Sequence, residues 1–364
     1  MEKPEVLIPN SEKPKRRPRY RGTHPRRFHE KYKELNPDRY PDEFKKAQEA
    51  GKTPAGSHRP ILLNEIIEIL KPRPGQIAVD ATLGYGGHSS EILKKISPGG
   101  RLIGFDLDST ELPKTESRLR SAGFSEESFI ASHGNFASIP QNLDNLGVGR
   151  VHLVLADLGV SSMQLDNPDR GFSFKTQGPL DLRMDTSTGT TAEQFLKWTK
   201  EKDLAQILVD NADEDYAELI AHSIVRARRQ TPLKTTDGLT AVIREALKTL
   251  PFRTQKELGD LPVRRVFQAI RIAVNSEFKS LETFLENLPR LLLPGGRVAI
   301  LTFHSGEDRR VKKSFQAGFR NGTYQSVAHE VIRPSVQEMN SNPRASSAKL
   351  RWAILGEKFK WKTL

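Results

Sequence analysis

The sequence contains no cysteine. This absence excludes disulfide bonds, thiolate metal ligands and a cysteine nucleophile, and it is typical of a cytoplasmic protein. The sequence also lacks a run of about eighteen apolar residues and an apolar N-terminal segment of the kind that directs secretion. We therefore expect a cytoplasmic protein with no membrane partner.

Acidic residues are scarce near the N-terminus. Residues 1–60 hold 16 Lys and Arg against 9 Asp and Glu, and residues 13–33 hold ten basic residues and one acidic residue. Tyr20, Phe28 and Tyr32 are interleaved with these charges. Clustered cations attract polyanions by counterion release, and planar side chains stack on bases, so the pattern predicts a nucleic-acid partner. The alternative interpretation is a solvated tail that serves solubility alone.

The same N-terminal segment has little apolar periodicity. Residues 1–56 are rich in Pro, Lys and Arg, so we predict a disordered basic extension with a short helix near residues 41–50. The whole chain of 364 residues, 36% of them hydrophobic, is long enough for one large domain or for one domain with a sizeable insert. The compact part is expected to begin near residue 57.

A strand, a glycine turn and a helix are predicted over residues 75–96. Ile77, Ala78 and Val79 form a short apolar run, and Gly84, Gly86 and Gly87 follow it. Glycines allow backbone to approach a ligand closely, and the free N–H groups of the helix that follows would point back at the turn. This arrangement is common in α/β proteins, with or without a ligand.

A second predicted strand ends in an acid. Asp106 ends the strand predicted over residues 101–106 and lies 22 residues after Gly84, the spacing at which an acid meets ribose hydroxyls in a βαβ unit. Ser89 occupies the place of the third glycine of a dinucleotide fingerprint. Together, the glycine turn and Asp106 indicate an adenosine-containing cofactor, and the missing third glycine favours an adenosyl cofactor other than NAD.

A third carboxylate follows the predicted strand of residues 151–156. Asp157 would lie at the carboxyl edge of a parallel sheet, where open α/β sheets bind ligands. The strand-and-helix alternation then stops between about residues 163 and 259, which we interpret as a mostly helical insert. A helix over residues 263–292 and a strand over 297–303 resume the alternation, residues 320–350 are expected to be irregular, and a last strand is predicted over 350–355.

Several motifs in this order resemble the RsmH (MraW) family of S-adenosyl-L-methionine-dependent methyltransferases, over roughly residues 58–355. The motifs are His58-Arg-Pro-Ile-Leu-Leu-Asn-Glu65, Thr82-Leu-Gly-Tyr-Gly-Gly-His-Ser89, Asp157-Leu-Gly-Val-Ser-Ser-Met-Gln-Leu-Asp166, Arg170-Gly-Phe-Ser-Phe174, Gly178-Pro-Leu-Asp-Leu-Arg-Met-Asp185, Val266-Phe-Gln-Ala-Ile-Arg-Ile-Ala-Val-Asn-Ser-Glu277, Phe303-His-Ser305 and Glu307-Asp-Arg309.

The resemblance implies an α/β fold, a Rossmann-like class I S-adenosylmethionine methyltransferase core with a mostly helical inserted domain. It implies a core over residues 57–163 and 260–364, including the C-terminal tail, and a substrate-recognition insert over 164–259. The implied partner is 16S rRNA in the small ribosomal subunit, and a homodimer is compatible with it. The cofactor contacts carried over from the family, together with the glycine turn, are Gly84, Gly86, Gly87, His88, Asp106, Phe136, Asp157 and Gln164.

The implied reaction is N4-methylation of a cytosine in the decoding region of 16S rRNA. Methyl transfer from a sulfonium requires collinear donor and acceptor and no metal, so we predict no metal site. Asp157 would accept a hydrogen bond from the amine, or else bind cofactor only. Phe172 and Phe174 would stack on the unpaired base, or else pack in a core, and His304 would serve the substrate side.

The sequence departs from the family at three motifs. The family's Tyr-Gly-Glu-Glu, Ala-Thr-Arg-Thr-Phe-Gln and Asn-Pro-Arg-Ser-Arg-Ser appear as Asn211-Ala-Asp-Glu214, Val263-Arg-Arg-Val-Phe-Gln268 and Asn342-Pro-Arg-Ala-Ser-Ser347. We also expect residues 1–56 to lie outside the resemblance. Two alternatives therefore remain open: methylation of another RNA or DNA site, and a non-catalytic ribosome-assembly protein on the same fold.

Overall fold

The computed structural model describes residues 60–359. The predicted disordered extension and its short helix lie outside these residues. The seven strands within 60–359 are β1 (Ile77–Asp80), β2 (Arg101–Asp106), β3 (Phe129–His133), β4 (Val151–Asp157), β5 (Leu292–Thr302), β6 (Tyr324–Val327) and β7 (Lys349–Leu355).

The helices of the α/β core surround these strands. They are α1 (Leu63–Leu70), α2 (Gly87–Ile96), α3 (Leu112–Ser121), α4 (Ile139–Asn145), α12 (Glu277–Leu291), α13 (Ser305–Arg320) and α14 (Val336–Ser341). Between β4 and α12 lie α5 (Ser162–Asp166), α6 (Ala192–Trp198), α7 (Glu201–Ala212), α8 (Ala217–Gln230), α9 (Thr236–Leu247), α10 (Phe252–Leu258) and α11 (Leu261–Val274).

The strands form one sheet in the order β3-β2-β1-β4-β5-β7-β6. The first five are parallel, and β7 pairs antiparallel with both β5 and β6. The strand order reverses between β1 and β4, because the chain builds outward through β2 and β3 and then returns to the other side of β1. Ligands of open α/β sheets bind outside the carboxyl ends of the strands at such a switch point.

Two apolar layers cover the sheet. On one side, Phe284 and Leu288 of α12 and Val311 and Phe315 of α13 pack against the strands. On the other, the apolar stripes of α1 and α2 pack against β1, β2 and β4. Burial on both faces explains why the strands consist of continuous apolar runs instead of alternating polar and apolar residues.

The segment between β4 and α12 has a separate apolar core. Leu204, Leu208, Ile220 and Ile224 lie within it, as do residues 263–270 of α11 in part. Helix α11 therefore packs with the insert, although the sequence boundary at residue 259 assigned it to the sheet domain. The predicted alternation of strands and helices does stop where the insert begins.

The predicted single helix over residues 263–292 is wrong. The structure divides it into α11 and α12 at Asn275 and Ser276, and Ser276 has a left-handed backbone with φ of 50°. A non-glycine residue in this region ends a helix, because its Cβ approaches the neighbouring carbonyl. Apolar periodicity continues through both helices, but each stripe is buried in a different core.

The expectation of an irregular segment over residues 320–350 is also wrong in part. Residues 324–327 form β6, which pairs with β7 at the edge of the sheet. A four-residue strand with one buried face gives too short an apolar pattern to identify by periodicity. Within residues 60–359, no helix is long and apolar enough to cross a membrane.

Candidate active site

The glycine turn after β1 begins the site. Gly84 and Gly86 have φ of 49° and 82°, and Gly86 precedes the first residue of α2. A Cβ at Gly86 would lie 3.0 Å from Thr115 Cγ2 and 3.3 Å from Leu119 Cδ1. Gly86 therefore allows the turn to pack on α3, while Gly84 and Gly87 line the cleft above the sheet edge.

Asp106 at the end of β2 is tied to this turn. Its Oδ2 accepts a hydrogen bond of 2.7 Å from the Gly84 N–H, and its Oδ1 accepts one of 2.8 Å from the Asp108 N–H. Burial raises the pKa of Asp106, whereas the two backbone donors act in the opposite direction. The carboxylate retains free lone pairs on the cleft side, because each oxygen can accept more than one hydrogen bond.

Glu111 adds a second acceptor beside Asp106. Its Oε1 pairs with Lys114 at 2.8 Å, while its Oε2 is buried and has no hydrogen-bond partner among the described residues. Glu111 lines the same cleft as Asp106. A buried carboxylate oxygen without a donor is costly, so this end of the cleft favours a ligand that supplies hydroxyl donors.

Asp157 lies at the end of β4, across the switch point from the glycine turn. Its backbone N–H donates to Thr82 Oγ1 at 2.6 Å, which fixes the strand end against the turn. Burial, and secondarily the negative charge of Glu307, raise the pKa of Asp157 to about 7. A carboxylate with this pKa can accept and release a proton near neutral pH.

His88 lies behind Asp157. Its Nδ1 is 3.8 Å from Asp157 Oδ2, and its Nε2 is 3.0 Å from the carbonyl oxygen of Ile61. Since a carbonyl only accepts, Nε2 carries the proton, and burial lowers the pKa of the ring. The structure therefore presents a neutral His88 that connects the segment before α1 to the Asp157 side of the cleft.

His304 and Glu307 line the same cleft as Asp157. His304 precedes α13, and its Nδ1 accepts from the Glu307 N–H at 3.4 Å. Its Nε2 lies 3.2 Å from Glu307 Oε1, yet it is buried and makes no aligned hydrogen bond within residues 60–359. Burial would raise the pKa of Glu307, but His304, Arg271 and hydrogen bonds from the backbone and His304 hold it below its usual value.

A buried polar cluster joins the insert to the sheet edge. Asp108 Oδ2 accepts from Gln164 Nε2 at 2.7 Å and from Arg170 Nη1 at 2.5 Å. Arg170 also donates to the carbonyl oxygens of Arg183 and Met184. The cluster fixes α5, which contains Gln164, over the end of β2, where Gln164 contacts Asp108.

The three predicted aromatic residues all line the cleft. Phe136 packs on Phe284 with ring centroids 5.4 Å apart. Phe172 is only 6% exposed and belongs to the insert core, and Phe174 packs on Phe267 at 6.0 Å. Phe174 is the less buried of the two insert aromatics, so it has more ring surface available to a base.

The cleft has a volume of about 950 Å³ and lies between the sheet edge and the insert. One wall consists of the ends of β1, β2 and β4, and the other includes Arg264, Gln268 and Arg271 of α11. Of the predicted site residues, Gly86 alone does not line it. The cleft thus joins a strand-end cofactor edge to a second wall that carries guanidinium and amide groups.

Four residues of the site did not emerge from the sequence. Asp80 accepts from Ser89 Oγ at 2.6 Å, and burial raises its pKa to about 6. Asp108, Glu111 and Arg170 form the contacts described above. Asp108 could have been identified from the sequence, because it lies two residues after the strand-end acid Asp106. The contact between Asp108 and Arg170 could not, because the two residues lie 62 positions apart and no local pattern links them.

A mainly parallel sheet with this strand order, a glycine turn bonded to the acid of β2, and a cleft at the switch point define a Rossmann-like ligand-binding α/β protein. The model of the MraW methylase family matches residues 55–355. The chain belongs to the MraW methylase family, and it is an S-adenosyl-L-methionine-dependent methyltransferase.

Relatives named as ribosomal RNA methyltransferases match most of the chain. Ribosomal RNA small subunit methyltransferase H 2 of Alkaliphilus metalliredigens is 51% identical over 95% of this chain and 99% of its own length. Ribosomal RNA small subunit methyltransferase H 1 of Lachnoclostridium phytofermentans is 50% identical over 93% of each chain. Ribosomal RNA small subunit methyltransferase H of Thioalkalivibrio sulfidiphilus is 42% identical over 82% of this chain and 98% of its own.

The relatives differ in how much of residues 1–56 they match. A match to 95% of the chain extends beyond residues 57–364, so part of the basic extension is shared with the Alkaliphilus protein. The match to the Thioalkalivibrio protein covers 82% of this chain. The family model begins at residue 55, so the extension lies outside the family match, as expected, while some relatives share part of it.

The cleft fits S-adenosyl-L-methionine. Asp106 and the unpartnered Glu111 Oε2 would accept from the ribose hydroxyls, and the turn at Gly84 leaves room for the methionine portion. Phe136 offers an aromatic surface for the adenine. When bound, the cofactor supplies an electrophilic methyl group. Among the described residues, no group of three His, Cys, Asp or Glu side chains could hold a metal ion.

Proposed function

We propose that this methyltransferase methylates N4 of a cytosine in the decoding region of 16S rRNA in the small ribosomal subunit. The observation that carries the proposal is the Asp157 carboxyl group, which lines the cleft at the end of β4 and has a pKa near 7. The relatives described above are named as small-subunit ribosomal RNA methyltransferases, which supports this class of substrate for the present chain.

An exocyclic amine needs an acceptor because its lone pair is delocalised into the base. As the new C–N bond forms, positive charge develops on N4 and an amine hydrogen must leave. Ionised Asp157 would accept that hydrogen, and the neighbouring His88 is neutral and does not neutralise the carboxylate. Asp157 therefore acts on the nucleophile, while Asp106 and Glu111 act on the donor.

Two further groups fit the base. His304 would lie beside the base, with its ring held by Glu307: Nδ1 accepts from the Glu307 N–H, and the buried Nε2 lies 3.2 Å from Glu307 Oε1. Phe174 would stack on the ring after the base has left its helix, because extrusion exposes both faces of the base.

The insert would hold the RNA strand on the substrate side. Arg264 and Gln268 of α11 line the cleft, and Arg264 makes no ion pair with any residue in 60–359. A guanidinium at this position can bind a phosphate next to the extruded nucleotide. We assign the cleft-facing side of residues 164–274 to substrate recognition on this basis, which extends the boundary inferred from the sequence through α11.

The test is identification of the modified nucleotide. Small subunits from a strain that lacks the gene would be incubated with the protein and labelled S-adenosyl-L-methionine, digested to nucleosides and separated by mass spectrometry. We expect label in N4-methylcytidine from a decoding-region fragment. Label in another nucleoside, or in naked DNA in preference to subunits, would contradict the proposal. Absence of both methylation and cofactor binding would favour the assembly-protein alternative.

A further inference from the structure

One exposed surface of the insert lies outside the cleft. It is formed by the end of α6, the start of α7 and the end of α8, and we call it the Trp198 surface. Trp198 is 75% exposed, and Lys197 Nζ lies 4.9 Å from its ring centroid. With this exposure, most of the Trp198 ring is available to a partner.

Contacts between the helices bring these three ends together. The guanidinium of Arg228 on α8 donates to the carbonyl oxygen of Leu196 on α6. His222 Nδ1, one turn before Arg226, lies 3.0 Å from Glu201 Oε1 at the start of α7. The elements therefore present a single continuous face.

The Trp198 surface carries an excess of unpaired positive charge. None of its five exposed basic side chains forms an ion pair with another residue in 60–359; they are Lys197, Lys200, Lys202, Arg226 and Arg229. The nearby exposed acids are Glu201, which contacts His222, and Asp203. Burial and the charge of Arg229 lower the pKa of the adjacent Arg228, as expected where like charges crowd together.

None of the residues of the Trp198 surface lines the catalytic cleft. A ligand that contacts both regions must therefore be large. The exposed large apolar residues in the described chain are few, and of these Trp198 alone belongs to this surface. A membrane-binding face would bury several apolar side chains, whereas one planar ring among cations matches a polyanion with stacking bases.

We propose that the Trp198 surface is a second RNA-docking surface, which binds small-subunit rRNA away from the nucleotide that is methylated. This inference rests on the proposed function. Arg226, Arg229 and the lysines bind phosphates, and Trp198 stacks on an unpaired base. The surface contributes to the affinity for the subunit and makes no contact with the reacting atoms.

Two variants test the proposal: Trp198→Ala, and Arg226→Ala together with Arg229→Ala. We expect Trp198→Ala to raise the Kd for small subunits about tenfold, the scale of one base-stacking contact. The double variant should lower the log–log salt slope of binding by about two, since each phosphate contact releases close to one counterion. The kcat at saturating subunits and the Kd for S-adenosyl-L-methionine should remain unchanged.

Matched controls are available on the same chain. Phe252 is 78% exposed on the insert, but its neighbour Arg253 is paired with Glu257, so Phe252→Ala should leave the Kd unchanged. Lys312→Ala with Lys313→Ala removes two exposed charges from α13, distant in sequence from the insert, and should leave the salt slope close to that of the wild type.

An unchanged Kd and salt slope in both test variants would overturn the proposal. Weaker binding to subunits with unchanged binding to naked 16S rRNA would overturn it too, because the partner would then be a ribosomal protein. If the wild type produces no N4-methylcytidine while the variants still lose rRNA affinity, the proposed reaction fails and the docking surface stands.

Discussion

The ionisation of Asp157 gives the reaction a pH dependence. Asp157 must be deprotonated to accept a hydrogen from the amine, and its pKa of about 7 lies well above that of an ordinary carboxyl group. We therefore expect kcat to rise with pH, with a midpoint near 7, and to level off about one unit higher. Single-turnover rates at saturating cofactor, measured across this range, would show the midpoint.

Two substitutions sharpen that measurement. Asp157→Asn should lower the rate by roughly two to four orders of magnitude and flatten its pH profile, with cofactor affinity largely retained. Near-normal turnover would mean that Asp157 only binds cofactor.

Glu307→Gln removes a charge that raises the pKa of Asp157, so the midpoint should move to lower pH but stay above the ordinary value, because burial is the larger cause. A midpoint that moves upward would contradict this origin.

Gly86 tests the packing of the glycine turn. Gly86→Ala and Gly75→Ala both place a Cβ on a left-handed backbone, with φ of 82° and 81°. Only at Gly86 would the Cβ also press on Thr115 and Leu119, since nothing lies within 4 Å at Gly75. We expect Gly75→Ala to lower the free energy of unfolding by about 1 kcal/mol and Gly86→Ala by about 2 kcal/mol or more.

Urea denaturation of the two glycine variants supplies the comparison. A greater loss at Gly86 would show that contact with α3 restricts this position in addition to its backbone angle. Equal losses would show that the contact is relieved by small shifts of the flexible Leu119 side chain, and that the positive φ is the whole reason for glycine.

At the scale of elements, the ion pair between Asp108 and Arg170 joins the insert to the sheet edge. Both side chains are buried, with 2% and 10% of their surfaces exposed. Replacement of Arg170 by Met would leave a buried carboxylate with one donor fewer, so we expect the free energy of unfolding to fall by about 3 kcal/mol or more. Arg244→Met breaks an exposed pair with Asp260 and should cost less than about 1 kcal/mol.

Hydrogen exchange would locate the effect of Arg170→Met. We expect faster exchange in the loop of residues 158–185, whose backbone carbonyls Arg170 also binds, while β1 and β2 keep their protection. Uniformly faster exchange over the whole chain would instead indicate that the ion pair stabilises the whole fold and not only this segment.

The sequence predicts those elements whose signal is local. Asp106 and Asp157 each follow an apolar run, and a parallel sheet brings such strand ends to one edge, so their convergence was predictable. The end of α11 was not predictable, because the apolar pattern continues past Ser276. The two helices differ only in the core against which each one packs. Edge strand β6 was missed for its shortness, and the contact from Asp108 to Arg170 is set by tertiary packing alone.

For the whole molecule, the basic N-terminal extension is expected to add affinity for RNA. Residues 1–60 carry 16 of the 57 basic residues against 9 of the 45 acidic ones. A truncated protein that begins at Ser57 should bind small subunits more weakly and with a shallower salt dependence, because fewer counterions are released. Filter binding at several salt concentrations measures both quantities. Equal affinity and an equal slope would assign the extension to solubility.

The two walls of the cleft also differ in how far their residues can be substituted without loss of contacts. The sheet-edge wall is constrained by its own hydrogen bonds, since Asp106 holds the Gly84 backbone and Asp157 is fixed to Thr82. On α11, Arg264 lines the cleft without an ion-pair partner among the described residues. Substitutions that change the target preference should therefore be tolerated mainly on the cleft face of α11, whereas most substitutions in the donor wall would break its own hydrogen bonds.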